Sequence, residues 1–340
     1  MGITPWEGHM AIPTRRRELI LALGGAAVTW PIAARAQQAP MPAVGFLHSA
    51  SVRNYELQLN GFREGLANAG YVEGRNVTIE YRWAESQLDR LPALAADLVR
   101  RPVAVIAACG SPAAALAAKS ATTSIPIVFE TGADPVQIGL VASLNHPGGN
   151  VTGFTNVSGE LAAKRVGLLR ELVPSATSIA VLINPTRSGA DAQSAQIHEA
   201  TRAIGLPLHI IKAASEHDLD AAFSSLAQLK VGGLVITADA LFTDRQHQIV
   251  ALAKRYAVPT IYEFRHFVVA GGLFSYGPDP HDSYRQAGNL VGRVLKGEKP
   301  ADLPVMQPSK FELVINMKTA KTLGIEVPNS MQLLADEVIE

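Results

Sequence analysis

From Pro42 onward the chain alternates between two hydrophobic rhythms. Short apolar runs at 42–48, 103–108 and 125–129, with an alternating run at 77–81, are separated by stretches whose apolar residues recur every three or four positions. Tyr55, Leu59, Phe62, Leu66 and Ala69 make one such face, the period of a helix buried along one side. Val103 to Ala108 is apolar on both faces, as a parallel strand covered by helices must be. With helices at 91–99 and 113–121, the first half reads β-α-β-α-β-α-β. The second half repeats it: helix 161–172, strand 179–183, helix 191–204, strand 206–211, helix 219–229, strand 233–237, helix 242–256 and strand 259–262. A helix at 283–295 and a last strand at 311–315 follow. The fold class is α/β, with two lobes, each a parallel sheet covered by helices.

Asp134 to Gly153 punctuates this pattern. It reads as an Asp134-Pro135 turn, a short helix from Val136 to Leu144, a Pro147-Gly148-Gly149 breaker and a strand into Gly153. Proline fixes φ and glycine frees it, so such a cluster ends an element. We read it as the end of one lobe and the first crossing to the other. A second crossing is expected near Tyr276, the helix at Ser283 returning to lobe one, and a third for the C-terminal segment. Lobe one is then 42–154 plus about 277–304, and lobe two 155–276 plus about 305–340. Pro126-Ile127-Val128-Phe129-Glu130 is echoed by Pro259-Thr260-Ile261-Tyr262-Glu263, a weak sign that the lobes are alike.

Residues 1–36 read as a cleaved export signal. Arg15-Arg16-Arg17 precedes an apolar run from Leu19 to Trp30, too short to span a bilayer, and Ala34-Arg35-Ala36 is an A-x-A cleavage site. The arginine pair looks like a twin-arginine signal, with an ordinary Sec signal as the alternative. The expected location is the periplasm. Lys+Arg and Asp+Glu both number 30, which leaves no basic excess for nucleic acid. The single cysteine, Cys109, leaves no internal disulfide in an exported chain. A monomer is expected.

In open parallel sheets, ligands bind beyond the carboxyl ends of the strands. The residues there give the candidate ligand-binding set: Ser49, Gly110, Ser111, Thr131, Asn156, Asn184, Thr237, Asp239, Glu263 and Tyr276. Gly110-Ser111-Pro112 combines a helix N-cap with proline at the first helical position, and the backbone N–H groups of that turn favour an anion such as a carboxylate. Asp239 or Glu263, from the other lobe, would pair with an ammonium. No G-x-S-x-G, H-E-x-x-H or phosphate-loop Lys-Ser/Thr occurs, so neither an esterase elbow, a zinc protease site nor a nucleotide cradle is indicated. No catalytic residue, metal or cofactor is expected.

The run D-P-V-x-x-G-L-V-x-S-L-x-x-P-G-G-N-V-T-G at 134–153 resembles a signature of the TrpX-like ABC-transporter substrate-binding protein family. The resemblance extends through Gly74-Arg75-Asn76-Val77, Ser111-Pro112-Ala113-Ala114 and Leu313-Val314-Ile315-Asn316. It implies a type I periplasmic binding protein: two Rossmann-like lobes, three hinge crossings, and a small-molecule ligand in the cleft. It also implies an inner-membrane ABC permease with its ATPase as partner. Some members bind aromatic amino acids, at loops matching Ser111-Pro112, Thr237 and Asp239. The expected function is therefore a non-enzymatic solute-binding protein of an ABC importer, taking a small carboxylate-bearing ligand. The alternatives are a receptor for a membrane signalling protein and, behind it, a periplasmic enzyme.

Overall fold

The computed structural model describes residues 41–156, 161–187 and 189–340. The expected export signal lies outside them. The first half folds as β1 (Ala43–His48), α1 (Glu56–Asn68), β2 (Thr78–Trp83), α2 (Leu91–Val99), β3 (Val103–Cys109), α3 (Pro112–Ala121), β4 (Ile127–Thr131) and β5 (Val151–Thr155). The five strands are all parallel, in the order β2-β1-β3-β4-β5. Side chains alternate across a strand, and β1 shows it: Val44 and Phe46 join the core under α1, while Leu47 joins the core under α2 and α3.

The signature run stays in this sheet. The helix expected at Val136–Leu144 is instead a single turn. Asp134 Oδ1 accepts from Val136 N and Gln137 N, and Gly139 at φ +71° ends the turn. The apolar residues Leu140 and Val141 are buried under the sheet without helical backbone.

The second half folds as α4 (Ala162–Leu172), β6 (Ile179–Ile183), α5 (Ala190–Ala203), β7 (Leu208–Lys212), α6 (Glu216–Leu229), β8 (Gly233–Ile236), α7 (Ala240–Asp244), α8 (Gln246–Arg255), β9 (Thr260–Tyr262), α9 (Arg265–Val269), β10 (Phe274–Gly277), α10 (Pro280–Leu295), β11 (Glu312–Asn316), α11 (Met317–Thr322), α12 (Asn329–Leu334) and β12 (Glu337–Ile339). Its seven strands run β12-β11-β10-β9-β8-β6-β7. All neighbours are parallel except β10 and β11. The one helix expected at 242–256 is two, α7 and α8, broken at Arg245, whose ψ of 22° leaves the helical range.

Helix α10 leaves the second sheet and lies along α1. The approach is close enough to exclude side chains. A Cβ on Gly65 would sit 2.0 Å from the Arg285 carbonyl oxygen, and one on Gly288 would sit 2.2 Å from that of Phe62. The chain then runs beside β5, where Met306 N donates to Gly153 O and Thr155 N to Met306 O. It crosses back to the second sheet at β11. Among the described residues no helix is long and apolar enough to cross a membrane.

Candidate functional site

Residues that follow the carboxyl ends of β3, β4 and β5 share one cavity with residues that follow β6, β8 and β9. The first lobe contributes Gly110, Ser111, Glu130 and Asn156, with Tyr55 just before α1, Gln58 from α1 and Tyr284 from α10. The second contributes Arg187, Asp239, Thr243, Phe264 and His266. Two further cavities open off the same cleft, and Arg187 lines all three.

The first-lobe wall is a connected polar network. Ala50 N donates to His48 Nδ1 at 3.0 Å. Burial holds the His48 value down to about 3, so the ring is neutral and its proton sits on Nε2. That proton is donated to the Tyr284 hydroxyl at 2.7 Å. Tyr284 in turn hydrogen-bonds Glu130. Glu130 also accepts from Asn156 Nδ2 at 2.6 Å and from Gly110 N at 3.2 Å. Asn156 is oriented by Ser283, whose hydroxyl donates to its Oδ1 at 2.7 Å. Gly110 adopts φ +86°, and a Cβ there would lie 2.5 Å from the His48 ring; only glycine brings that N–H to Glu130. Burial pushes the Glu130 carboxyl up to about 7, against the lowering effect of its three donors.

The second-lobe wall is organised by Asp239. It caps α7, its Oδ1 accepting from Leu241 N at 2.9 Å and from Asn184 Nδ2 at 3.2 Å. Burial raises its carboxyl, and the neighbouring Arg187 charge opposes that rise. Arg187 Nη1 donates to Gln193 at 2.7 Å. Behind this wall Glu263 and Arg165 form a fully buried pair at 3.6 Å, and Arg165 Nε donates to Tyr276 O at 2.8 Å.

Of the ten residues expected at the site, Gly110, Ser111, Asn156 and Asp239 line the central cavity, and Asn184 lines an adjoining one. Ser111 spends its hydroxyl on Ala114 N, as an N-cap. The other five stand behind the walls. Ser49 and Glu263 are buried, Thr131 accepts from Ala133 N, Thr237 donates to Leu182 O, and Tyr276 packs near Phe311. Arg187, Glu130, Tyr284 and Tyr55 were not in the set. Glu130 was visible as half of the aromatic-Glu echo, and Arg187 sits one residue past the Asn184-Pro185-Thr186 loop. Tyr55 read only as a helix-face apolar position, and Tyr284 lies without a reading of its own in the helix expected at 283–295. Cys109 is fully buried, which raises its thiol well above the usual range and removes it as a nucleophile. Among the described residues no cluster could hold a metal ion.

The lobes touch directly. Ala240 packs into the first-lobe core beside Tyr55 and Tyr284, Thr243 hydrogen-bonds Tyr55, and Ser86 Oγ hydrogen-bonds Asp244 Oδ2. The cleft is therefore shut. Solved structures resemble this one. The ABC domain in complex with L-Trp from Streptococcus pneumonia is 27% identical, with a TM-score of 0.81 over 88% of this chain and 99% of that one. The ligand-free, open structure of a substrate binding protein with adhesive properties from Clostridium difficile is 25% identical over the same shares, yet its TM-score is 0.64. A curated relative, a tyrosine-binding protein of Clostridioides difficile (strain R20291), is 29% identical over 78% of this chain and 76% of its own length. The two-lobed fold is that of the type I periplasmic binding proteins. The family model for ABC transporter substrate binding proteins matches residues 48–339, and the chain belongs to that family.

Proposed function

We propose that this protein is the extracytoplasmic receptor of an ABC importer, and that its cleft captures an aromatic amino acid or a close analogue. The observation that carries the ligand class is the composition of one cavity. Carboxylates at Glu130 and Asp239 and the guanidinium of Arg187 stand beside the rings of Tyr55, Tyr284, Phe264 and His266. A zwitterion with a flat apolar side chain meets both needs, and its two poles reach opposite lobes. Relatives that take L-Trp or tyrosine support the reading.

Ligand bound to both lobes stabilises the closed form, because only closure brings both walls within reach. The moving bodies are residues 42–156 with about 280–306, and the remainder of 161–340. The closed form is what a membrane permease and its ATPase would accept, and no chemistry on the ligand is required. The location that follows is the periplasm, after removal of residues 1–36.

A thermal-shift panel tests this on the exported chain. Tyrosine, tryptophan and phenylalanine should raise the melting temperature, and lysine, glutamate, sugars and nucleosides should not. Ligand at ~100 times its dissociation constant contributes about 2.7 kcal/mol, a shift of several degrees. A response confined to sugars or nucleosides would refute the assignment.

A further inference from the structure

We infer that Glu130 is the residue that selects for an amino group on the ligand, and that Arg187, across the cleft, takes the ligand's carboxylate. The inference rests on the reading of the cleft as an amino-acid site and adds which lobe holds which pole. It reverses the polarity that the sequence suggests, in which the Ser111 turn holds the acid and Asp239 the amine.

Every group that touches Glu130 donates to it. Asn156 is locked by Ser283 so that its Nδ2 faces Glu130, Gly110 offers a backbone N–H, and Tyr284 has its acceptor side filled by His48. Such a shell favours an ionised carboxylate. Among the described residues no lysine or arginine pairs with it, and the nearest charge of consequence is the like charge of Glu263. A buried anion without a countercharge is costly. A primary ammonium in the cavity that Glu130 lines supplies the missing charge.

Asp239 differs in its countercharge. Its Oδ1 is taken by Leu241 N and Asn184 Nδ2, and Arg187 already faces it with a positive charge. An ammonium there would meet a repelling guanidinium and a carboxylate whose charge is already countered. Arg187 commits Nη1 to Gln193 and lines the cavity, and a guanidinium suits a carboxylate.

Calorimetry with three probes separates the poles: L-tyrosine, tyramine, which lacks the carboxylate, and 3-(4-hydroxyphenyl)propionate, which lacks the amine. Glu130→Gln should weaken tyrosine and tyramine by about 30-fold or more and leave the propionate within about threefold. Arg187→Met should weaken tyrosine and the propionate and spare tyramine. A second measurement needs no variant. The groups facing Glu130 are Tyr55, Tyr284 and Cys109, all held neutral by burial, neutral His48, and the acids Glu263 and Asp239 of the other lobe. Binding an ammonium should therefore draw a proton off Glu130: about half a proton per tyrosine at pH 7, read from buffers of different ionisation enthalpy, and none with the propionate. Tyrosine binding to Glu130→Gln as to the wild type, or the absence of proton release, overturns the assignment alone. A wild type that binds no aromatic amino acid overturns the assignment and the reading beneath it.

Discussion

Glu130 links the cleft to pH. Its folded value is about 7 against an ordinary 4.5, so between those values the native chain holds a proton that the unfolded chain has lost. Its contribution to stability is full below pH 4.5 and falls as pH rises through 7. His48 and His266 act in the other direction. Burial holds them to about 3 and about 4, so their contribution is present above pH 6.5 and falls as pH drops below it. Comparison with Glu130→Gln cancels the histidines. Ligand-free wild type should lose about 2–3 kcal/mol relative to that variant between pH 5 and pH 8, by urea unfolding. A difference that stays flat would mean that Glu130 ionises as it does in water. None of this was legible in the chain. Asp239 and Ser111 were, because capping is a local rule that five residues suffice to show. The burial of Glu130 is not local: α10, β5 and the closed second lobe all contribute to it.

At the scale of elements, α1 and α10 show how a discontinuous lobe is fastened. Gly61, Gly65 and Gly288 let the two helix backbones approach until a single added methyl meets a carbonyl oxygen. Gly65→Ala should therefore cost about 2–3 kcal/mol through overpacking. Gly167→Ala is its control: the position is exposed in α4 with nothing within 4 Å of an added Cβ, and alanine there should stabilise by about 0.5–1 kcal/mol. Two thermal melts read both signs, and a destabilised Gly167→Ala would show that helix propensity does not govern that face. Helix α10 was legible because Tyr284, Ala287, Val291 and Val294 recur at helical spacing. The short elements that follow β11 were not. Residues 317–339 hold α11, α12 and β12, none of them long enough to complete two periods of its pattern. The break at Arg245 was hidden for another reason, since Phe242 and Ile249 lie seven residues apart, on one helical face. The run from Val136 to Leu144 misled because burial there serves a turn, and an apolar run reports burial rather than backbone.

Across the whole molecule, closure has a component that the ligand does not supply. Ser86 on the first lobe hydrogen-bonds Asp244 on the second, outside the central cavity. The loop that presents Ser86 is strained: Glu85 and Ser86 sit at φ 55° and 60°, a left-handed conformation that costs roughly 1–2 kcal/mol per residue without glycine. Backbone bonds from Glu85 N to Ala50 O and from Ser86 N to Ser49 O hold it there. Strain kept in place opposite a charged acceptor fits a latch that biases the lobes toward the shut form. Apparent affinity scales with the population of that form, and a hydrogen bond to a charged group contributes about 1.5–3 kcal/mol. Ser86→Ala should thus weaken tyrosine and tryptophan by one common factor, about tenfold or more, expressed in faster release rather than slower capture. Stopped-flow fluorescence on both ligands gives the two rates. A common factor follows from a latch that acts on the lobes alone, whereas unequal factors would place Ser86 in contact with the ligand, and unchanged release would leave closure to the ligand itself.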